Sequence, residues 1–521
     1  MQTDCNTALF EFAPVEDRKV VASFDGGTMT SNAGALLLGS ADRAVRLVER
    51  VAGCFVDSRN PALIEHSVAT LVGQRIFGLA LGHEDLVDHD ALRNDPLFAA
   101  LAGKLKARRT DCAPVAGKST LNRLERSKEK PSLYHKIHHD GAAMERLLVD
   151  LFLEAHARPP EEIILDLDAT DDPLHGHQEG RFFHGYYDCY CYLPLYVFCG
   201  DHLLVAKLRK ADIDASAGAS DEIARVVAQI RARWPEVRII LRADSGFARD
   251  SLMTWCEAHG VDYLFGLAQN ARLNAQIEAE LVAAAEESAR TGKPARLFKE
   301  FKYCTRESWN RERRVIGKAE WMTPSQAEAD DATKKPKKKK KEKKAKKEKT
   351  KKVGAAEAAE AAKITEAVEA AAASPPPSPP PPSSIPGRAN PRFIVTSLGA
   401  EKHEARQLYE KRYCARGEME NRIKECQLDL FADRTSSHTM QANQLRLWLA
   451  SFAYVLMSAL RRVGLAGTRL ANATCGTIRL KLLKIGALVK ISVRRIVFSM
   501  ASAFPYVDVY ATAQAALSKA A

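Results

Sequence analysis

Residues 163–168 alternate strictly: Ile163, Leu165 and Leu167 fall on one face, and Ile164, Asp166 and Asp168 on the other, the period of a half-buried strand. Further strand-like runs lie at 190–198, 203–208, 237–243 and 261–267, and apolar positions at helical spacing fill 220–234 and 249–259. From residue 162 the order is therefore βββαβαβ. Upstream, Ala35, Leu36, Leu38, Val45 and Leu47, then 63–81 and 92–101, repeat at helical spacing and predict a helical amino-terminal domain over 1–155.

Three antiparallel strands followed by parallel strands joined by helices is the order of an RNase-H-like α/β domain, which needs one more helix after its last strand. The next helix-period run is at 402–428. This predicts a core begun at 160–270, interrupted by a mostly β insertion over 271–400 with strands at 297–302, 313–321 and 393–398, and resumed at 401–465. In that last part, Asn443, Arg446 and the apolar run 445–460 belong to a supporting helix. Residues 466–521 form an extension with a strand at 489–497. Inside the insertion, 325–390 holds a Lys-rich run, an Ala/Glu-rich segment and a Pro/Ser run; it has too little apolar surface to fold and is expected to be disordered.

The Lys-rich run changes the meaning of the charge. Residues 334–352 carry fourteen Lys against two Glu, the whole of the chain's formal net charge of +12, so the remainder is neutral and any DNA-binding face must come from local arrangement. Within the helical domain, 118–126 (KSTLNRLER) offers Ser119 or Thr120 as an N-cap with Arg123 and Arg126 exposed. This reads either as a DNA-recognition helix or as an ordinary capped surface helix. Eleven Cys with no CxxC pair suit a reducing compartment, and the 445–460 run is too short to span a bilayer, so a cytoplasmic protein without a membrane partner is expected. His175, His177, His184, Cys189 and Cys191 lack the spacing of a tetrahedral zinc site.

The acids carry the candidate chemistry. Asp168 ends its strand just before a turn-forming Thr-Asp-Asp-Pro, so it is a metal ligand or a turn acid. Asp244 ends 237–243 and precedes Ser245 and Gly246, at the carboxyl end of a strand where open α/β sheets build their sites. On the 412–427 helix, Tyr413, Arg416, Glu420 and Gln427 share a stripe flanked by Lys424, while Glu418 and Glu425 face elsewhere; an Arg416–Glu420 surface ion pair is the alternative reading. Three carboxylates from separate elements suffice for two Mg²⁺ or Mn²⁺ ions in phosphoryl transfer, Asp168 shared by both ions and Asp244 and Glu420 each holding one. Tyr413, Arg416 and Lys424 would then contact DNA phosphates.

The motifs LDLDATDD (165–172), HGHQEGRFFHGYYDCYCYLPL (175–195), RADSGF (242–247) and YCARGEMENRIKE (413–425), with LRNDP (92–96) and STLNRLE (119–125), resemble those of bacterial DDE-class insertion-sequence transposases, specifically the insertion sequence 1380 group. The resemblance implies an RNase-H-like catalytic domain with a β insertion, metal-dependent DNA cleavage and strand transfer at terminal inverted repeats, and a paired-end homodimer acting on target DNA. It selects Asp168 over Asp166, since Asp168 stands two residues before a Thr. A Tyr, Arg, Glu, Lys signature of such enzymes is matched by Tyr413, Arg416 and Glu420 and departs at Gln427. By the same resemblance Trp309 or Trp321 of the insertion would stack on a flipped base. The Lys-rich and Pro-rich runs lie outside the resemblance. A catalytically inactive or domesticated DNA-binding protein is the alternative.

Overall fold

The computed structural model describes residues 9–127, 132, 134–331 and 385–520. The architecture is mixed α/β, and the chain divides into two compact units: Met1–Tyr263 with Cys414–Ala521, and Leu264–Tyr413.

The first unit is organised by a mixed sheet. Its strands are β1 (Glu162–Ala169), β2 (Leu195–Cys199), β3 (His202–Lys207) and β4 (Arg238–Ala243), in the order β3-β2-β1-β4. β2 runs antiparallel to both β3 and β1, whereas β4 is parallel to β1, reached through the helix Ala219–Arg233. Ile163, Leu165 and Leu167 are buried as the alternation requires.

Two helices of this unit matter for the site: α1 (Gly417–Lys424), which is flanked by irregular turns at both ends, and the longer α2 (Met440–Ala459). The apolar run at 445–460 becomes the core of the unit. Leu445, Leu449, Phe452 and Leu456 are fully enclosed, in one cluster with Leu71 and Ile76 of the helix Val68–Ala80 and with Leu203 of β3. A buried carboxylate pins these pieces together: Glu125 accepts from Arg75 Nε at 2.7 Å and from Arg446 Nε at 2.7 Å. Both lone-pair sets are thereby satisfied in a place water does not reach.

Several expected elements differ in detail. The strand expected at 190–198 is broken at Pro194, which has no N–H to donate: Cys189–Tyr192 pairs with Phe182–His184 in a small separate sheet, and only Leu195–Cys199 joins the main one. The expected strand at 489–497 is a hairpin, Ala487–Ile491 with Ile496–Met500, because Ser492 closes a turn onto Arg495. The helix containing Arg123 begins at Lys118 with Gly117 as its N-cap rather than Ser119 or Thr120; the Asp90 carboxylate accepts from the Lys118 N–H at 3.0 Å and does the capping from outside.

In the second unit the strands Ala295–Tyr303, Arg313–Met322 and Arg392–Thr396 pair antiparallel, and the helix Glu278–Thr291 joins them, a helix absent from the expected mostly β insertion. Residues 325–331 are helical and Arg388–Ala389 forms a short strand, so the ends of the stretch expected to be disordered are ordered; the rest of it, 332–384, lies outside the described residues.

One ion pair sits in the middle of the mixed sheet. Arg242 and Asp166 are register partners on β4 and β1, both buried, and the guanidinium donates twice, Nε to Oδ1 at 2.5 Å and Nη2 to Oδ2 at 2.8 Å. Burial pushes the Asp166 carboxyl above its ordinary range, and Arg242 pulls against that. Removing one partner strands the other in the core, so Arg242→Met is expected to destabilise the protein by about 3–5 kcal/mol in urea unfolding. The double variant Asp166→Leu/Arg242→Met recovers most of the loss.

Candidate active site

Two residues beyond the Asp166–Arg242 pair, each strand delivers an acid. The parallel register pairs Leu167 with Ala243, and one step further places Asp168 beside Asp244 at the carboxyl ends of β1 and β4. Local backbone holds both side chains. Asp168 Oδ1 accepts from the Ala169 N–H at 3.0 Å, and Asp244 caps the single turn Ser245–Phe247, its Oδ1 accepting from the Gly246 N–H at 2.9 Å. Both acids are half-buried.

The third acid, Glu420, is exposed on α1 and bound to Arg416 at 3.0 Å. The structure thus contains the ion pair that stood as the alternative reading of these two residues. Both are nonetheless close enough to shape Asp168. Burial pushes the Asp168 carboxyl up to about 7; Arg416 opposes that, and the charges of Asp244 and Glu420 add to it. Asp168, Asp244, Arg416 and Glu420 therefore form one electrostatic cluster.

The uniform helix expected at 412–427 is not present. A wide turn covers Leu408–Tyr413, a tight one Cys414–Arg416, then regular helix Gly417–Lys424 and another wide turn Glu425–Asp429. Wide single turns of this kind recur at functional sites. They also break the assumed stripe: Tyr413 is the last residue of the second unit, while Arg416 and Glu420 belong to the first. Lys424 is exposed on α1. Gln427 turns inward, and its Nε2 donates to the Asp171 carbonyl at 3.1 Å, tying the helix to the turn after Asp168.

Arg123 and Arg126 are exposed at the end of their helix, whose other side buries Leu121 and Leu124. Trp309 and Trp321 are core residues of the second unit: Trp321 packs with Ala284, Ala285 and Ala295, and Trp309 lies against Tyr303 and Arg313. As placed, neither ring offers a face to a base.

One neighbour was missed in the sequence. Tyr187, on the loop of the Phe182–Tyr192 hairpin, donates its hydroxyl to the Ala169 carbonyl at 3.4 Å, and its pKa is raised by burial and then by Asp171, Asp168 and Asp244. Its only sequence signal was the density of aromatics in FFHGYYDCYCY.

Among the described residues no three His, Cys, Asp or Glu side chains already stand as a metal-holding group. The donor chemistry still fits a hard divalent cation: oxygen ligands only, two of them side by side at strand ends, and a carboxyl whose pKa is pushed up to about 7 by burial and then by adjacent negative charge.

Carboxylates from separate elements, two of them at the ends of adjacent parallel strands, are the kind of donor set that metal-assisted phosphoryl transfer can use. Residues 12–329 and 384–521 match the family model described as Transposase DDE domain group 1, and the chain belongs to that family. The match leaves out 330–383, which contains the Lys-rich and Pro-rich runs. No curated protein matches the chain. Among the described residues, no helix is long and apolar enough to cross a membrane.

The raised Asp168 pKa makes stability depend on pH. Between the ordinary Asp value of 3.8 and about 7 the folded state binds the extra proton, so this contribution is complete below the lower value and is lost as pH rises through the higher one. In EDTA, the thermal midpoint of the wild type is expected to fall between pH 5 and 8 relative to that of Asp168→Asn. Millimolar Mg²⁺ at pH 8 restores the wild type and leaves the variant unmoved. Parallel pH profiles in scanning calorimetry would show that Asp168 does not carry the effect.

Proposed function

We propose that this transposase cuts DNA at the terminal inverted repeats of an insertion sequence of the insertion sequence 1380 group and joins the freed 3′ hydroxyl to target DNA, using Asp168, Asp244 and Glu420. The adjacent placement of Asp168 and Asp244 by the β1–β4 register is the observation that carries the assignment. Their sheet, with α1 supplying the third acid, is read as an RNase-H-like core.

Asp168 and Asp244 would hold metal at the strand ends, and Glu420 would complete the set from the helix. The chemistry that a pair of bound Mg²⁺ or Mn²⁺ ions supplies at such a site is neutralisation of charge on the attacking and leaving oxygens. Arg416 fixes Glu420 at 3.0 Å and would also contact a DNA phosphate. Lys424 on the same helix would contact DNA phosphates, and Tyr413 is assigned the same kind of contact. Arg123 and Arg126 contact DNA from the amino-terminal helices. Two copies acting on paired ends complete the reading.

Replacing Asp168, Asp244 or Glu420 by Ala should lower metal-dependent cleavage of terminal-repeat DNA by at least about a hundredfold, the loss of a few kcal/mol of transition-state stabilisation, with DNA binding retained in a gel-shift assay. Cleavage that survives in these variants would remove the assignment. A wild type that binds DNA without ever cutting it would establish the inactive DNA-binding alternative.

A further inference from the structure

Between β1 and β2 the chain forms a short hairpin, Phe182–His184 paired with Cys189–Tyr192, whose surface is unusual. Phe182, Phe183, Tyr186 and Tyr190 are 48, 40, 71 and 45% exposed. A soluble protein ordinarily buries rings of this size or uses them. Phe183 and Tyr190 are cross-strand partners with ring centroids 5.5 Å apart, and the Arg181 guanidinium lies over the Tyr190 ring at 4.6 Å.

The hairpin is held where it is. Below the rings, Cys191 and Tyr192 are fully buried. Glu179 receives the Met440 N–H at 3.1 Å, and Gln178 donates to the Thr435 carbonyl at 3.3 Å, both from the segment leading into α2. At the loop, Tyr187 reaches the carbonyl of Ala169, the residue after Asp168. The loop end of the hairpin, with Tyr186 edge-on to Tyr187, is thus tied beside Asp168, and Arg181 and the exposed Lys210 at the hairpin's base supply positive charge.

We propose that this hairpin is a nucleobase-stacking site: Phe183, Tyr186 and Tyr190 hold unpaired bases of the DNA strand next to the phosphate being cut, with Arg181 and Lys210 on its backbone. Aromatic rings interleaved with cations match a single strand, whose bases expose π-faces that a paired duplex keeps stacked. A protein or lipid partner would not need the site to adjoin the acids. The proposal rests on the reading of Asp168 and Asp244 as the cutting centre, and it names what that centre's substrate does on either side of the scissile bond.

The test uses the full-length protein in Ca²⁺ and two fluorescent DNAs, a blunt duplex and the same duplex with a four-base unpaired end carrying 2-aminopurine. Wild type should bind the unpaired-end DNA more tightly and change the 2-aminopurine signal on binding. Phe183→Ala/Tyr186→Ala should lose about tenfold or more in affinity for that DNA, given about 1–3 kcal/mol per stacked base, while blunt-duplex affinity stays within about twofold. Tyr186→Trp should keep the tight binding. Equal losses on both DNAs, or none on either, would overturn the hairpin's role. Because the assay needs no cleavage, selective loss on the unpaired end in a protein whose cutting does not depend on Asp168 would sink the catalytic reading alone. Asp168-dependent cutting with no selective loss would sink only this one.

Discussion

Two parallel strands can carry acids to one point only if something fixes their register, and here that is the buried Asp166–Arg242 fork. A shift of β4 by one residue would turn Arg242 to the opposite face and leave Asp166 in the core without its cation. With the fork made, Asp168 and Asp244 are each two residues further on, so the side-chain period of a strand brings both to the same face. The ion pair thus converts backbone register into site geometry. It has this power because it is buried: an exposed pair of the same residues would tolerate slippage at little cost.

What the fork assembles is itself unfavourable. Asp168, Asp244 and Glu420 repel one another, and burial at the strand end sharpens that repulsion. Two devices offset it without metal: Asp168 holds its proton to about 7, and Arg416 engages Glu420. Either is reversible. If these acids hold a divalent cation as proposed, that cation would take over the neutralising role of the Asp168 proton and of Arg416. Of these groups, Arg416 lies in the tight turn Cys414–Arg416, between a wide turn and the regular helix that carries Glu420.

Much of this was legible in the sequence. The strands were readable because alternation is a two-residue signal that burial enforces, as at Ile163, Leu165 and Leu167, and the order of elements from 162 to 267 follows it. Asp168 and Asp244 were visible as acids at strand ends. What was not legible was long-range. Nothing near Arg242 shows that it lies across from Asp166, and nothing near Lys118 shows that Asp90 caps its helix. The seven-residue stripe from Tyr413 assumed a constant turn, which the irregular turns and the division between units at Tyr413 both break. The stacking role given to Trp309 and Trp321 came from the resemblance alone, and local sequence does not show the packing that buries both rings.

The departure at Gln427 follows from the same logic of position. The amide donates to the Asp171 carbonyl, in the turn that begins immediately after Asp168. Thr435 adds a second tie to that turn through Asp172, at 2.8 Å. The helix bearing Glu420 is thereby registered against the strand bearing Asp168 as β4 is registered by the fork. Gln427 thus helps to set the position of the Glu420 helix, and the exposed Lys424 lies one turn before it.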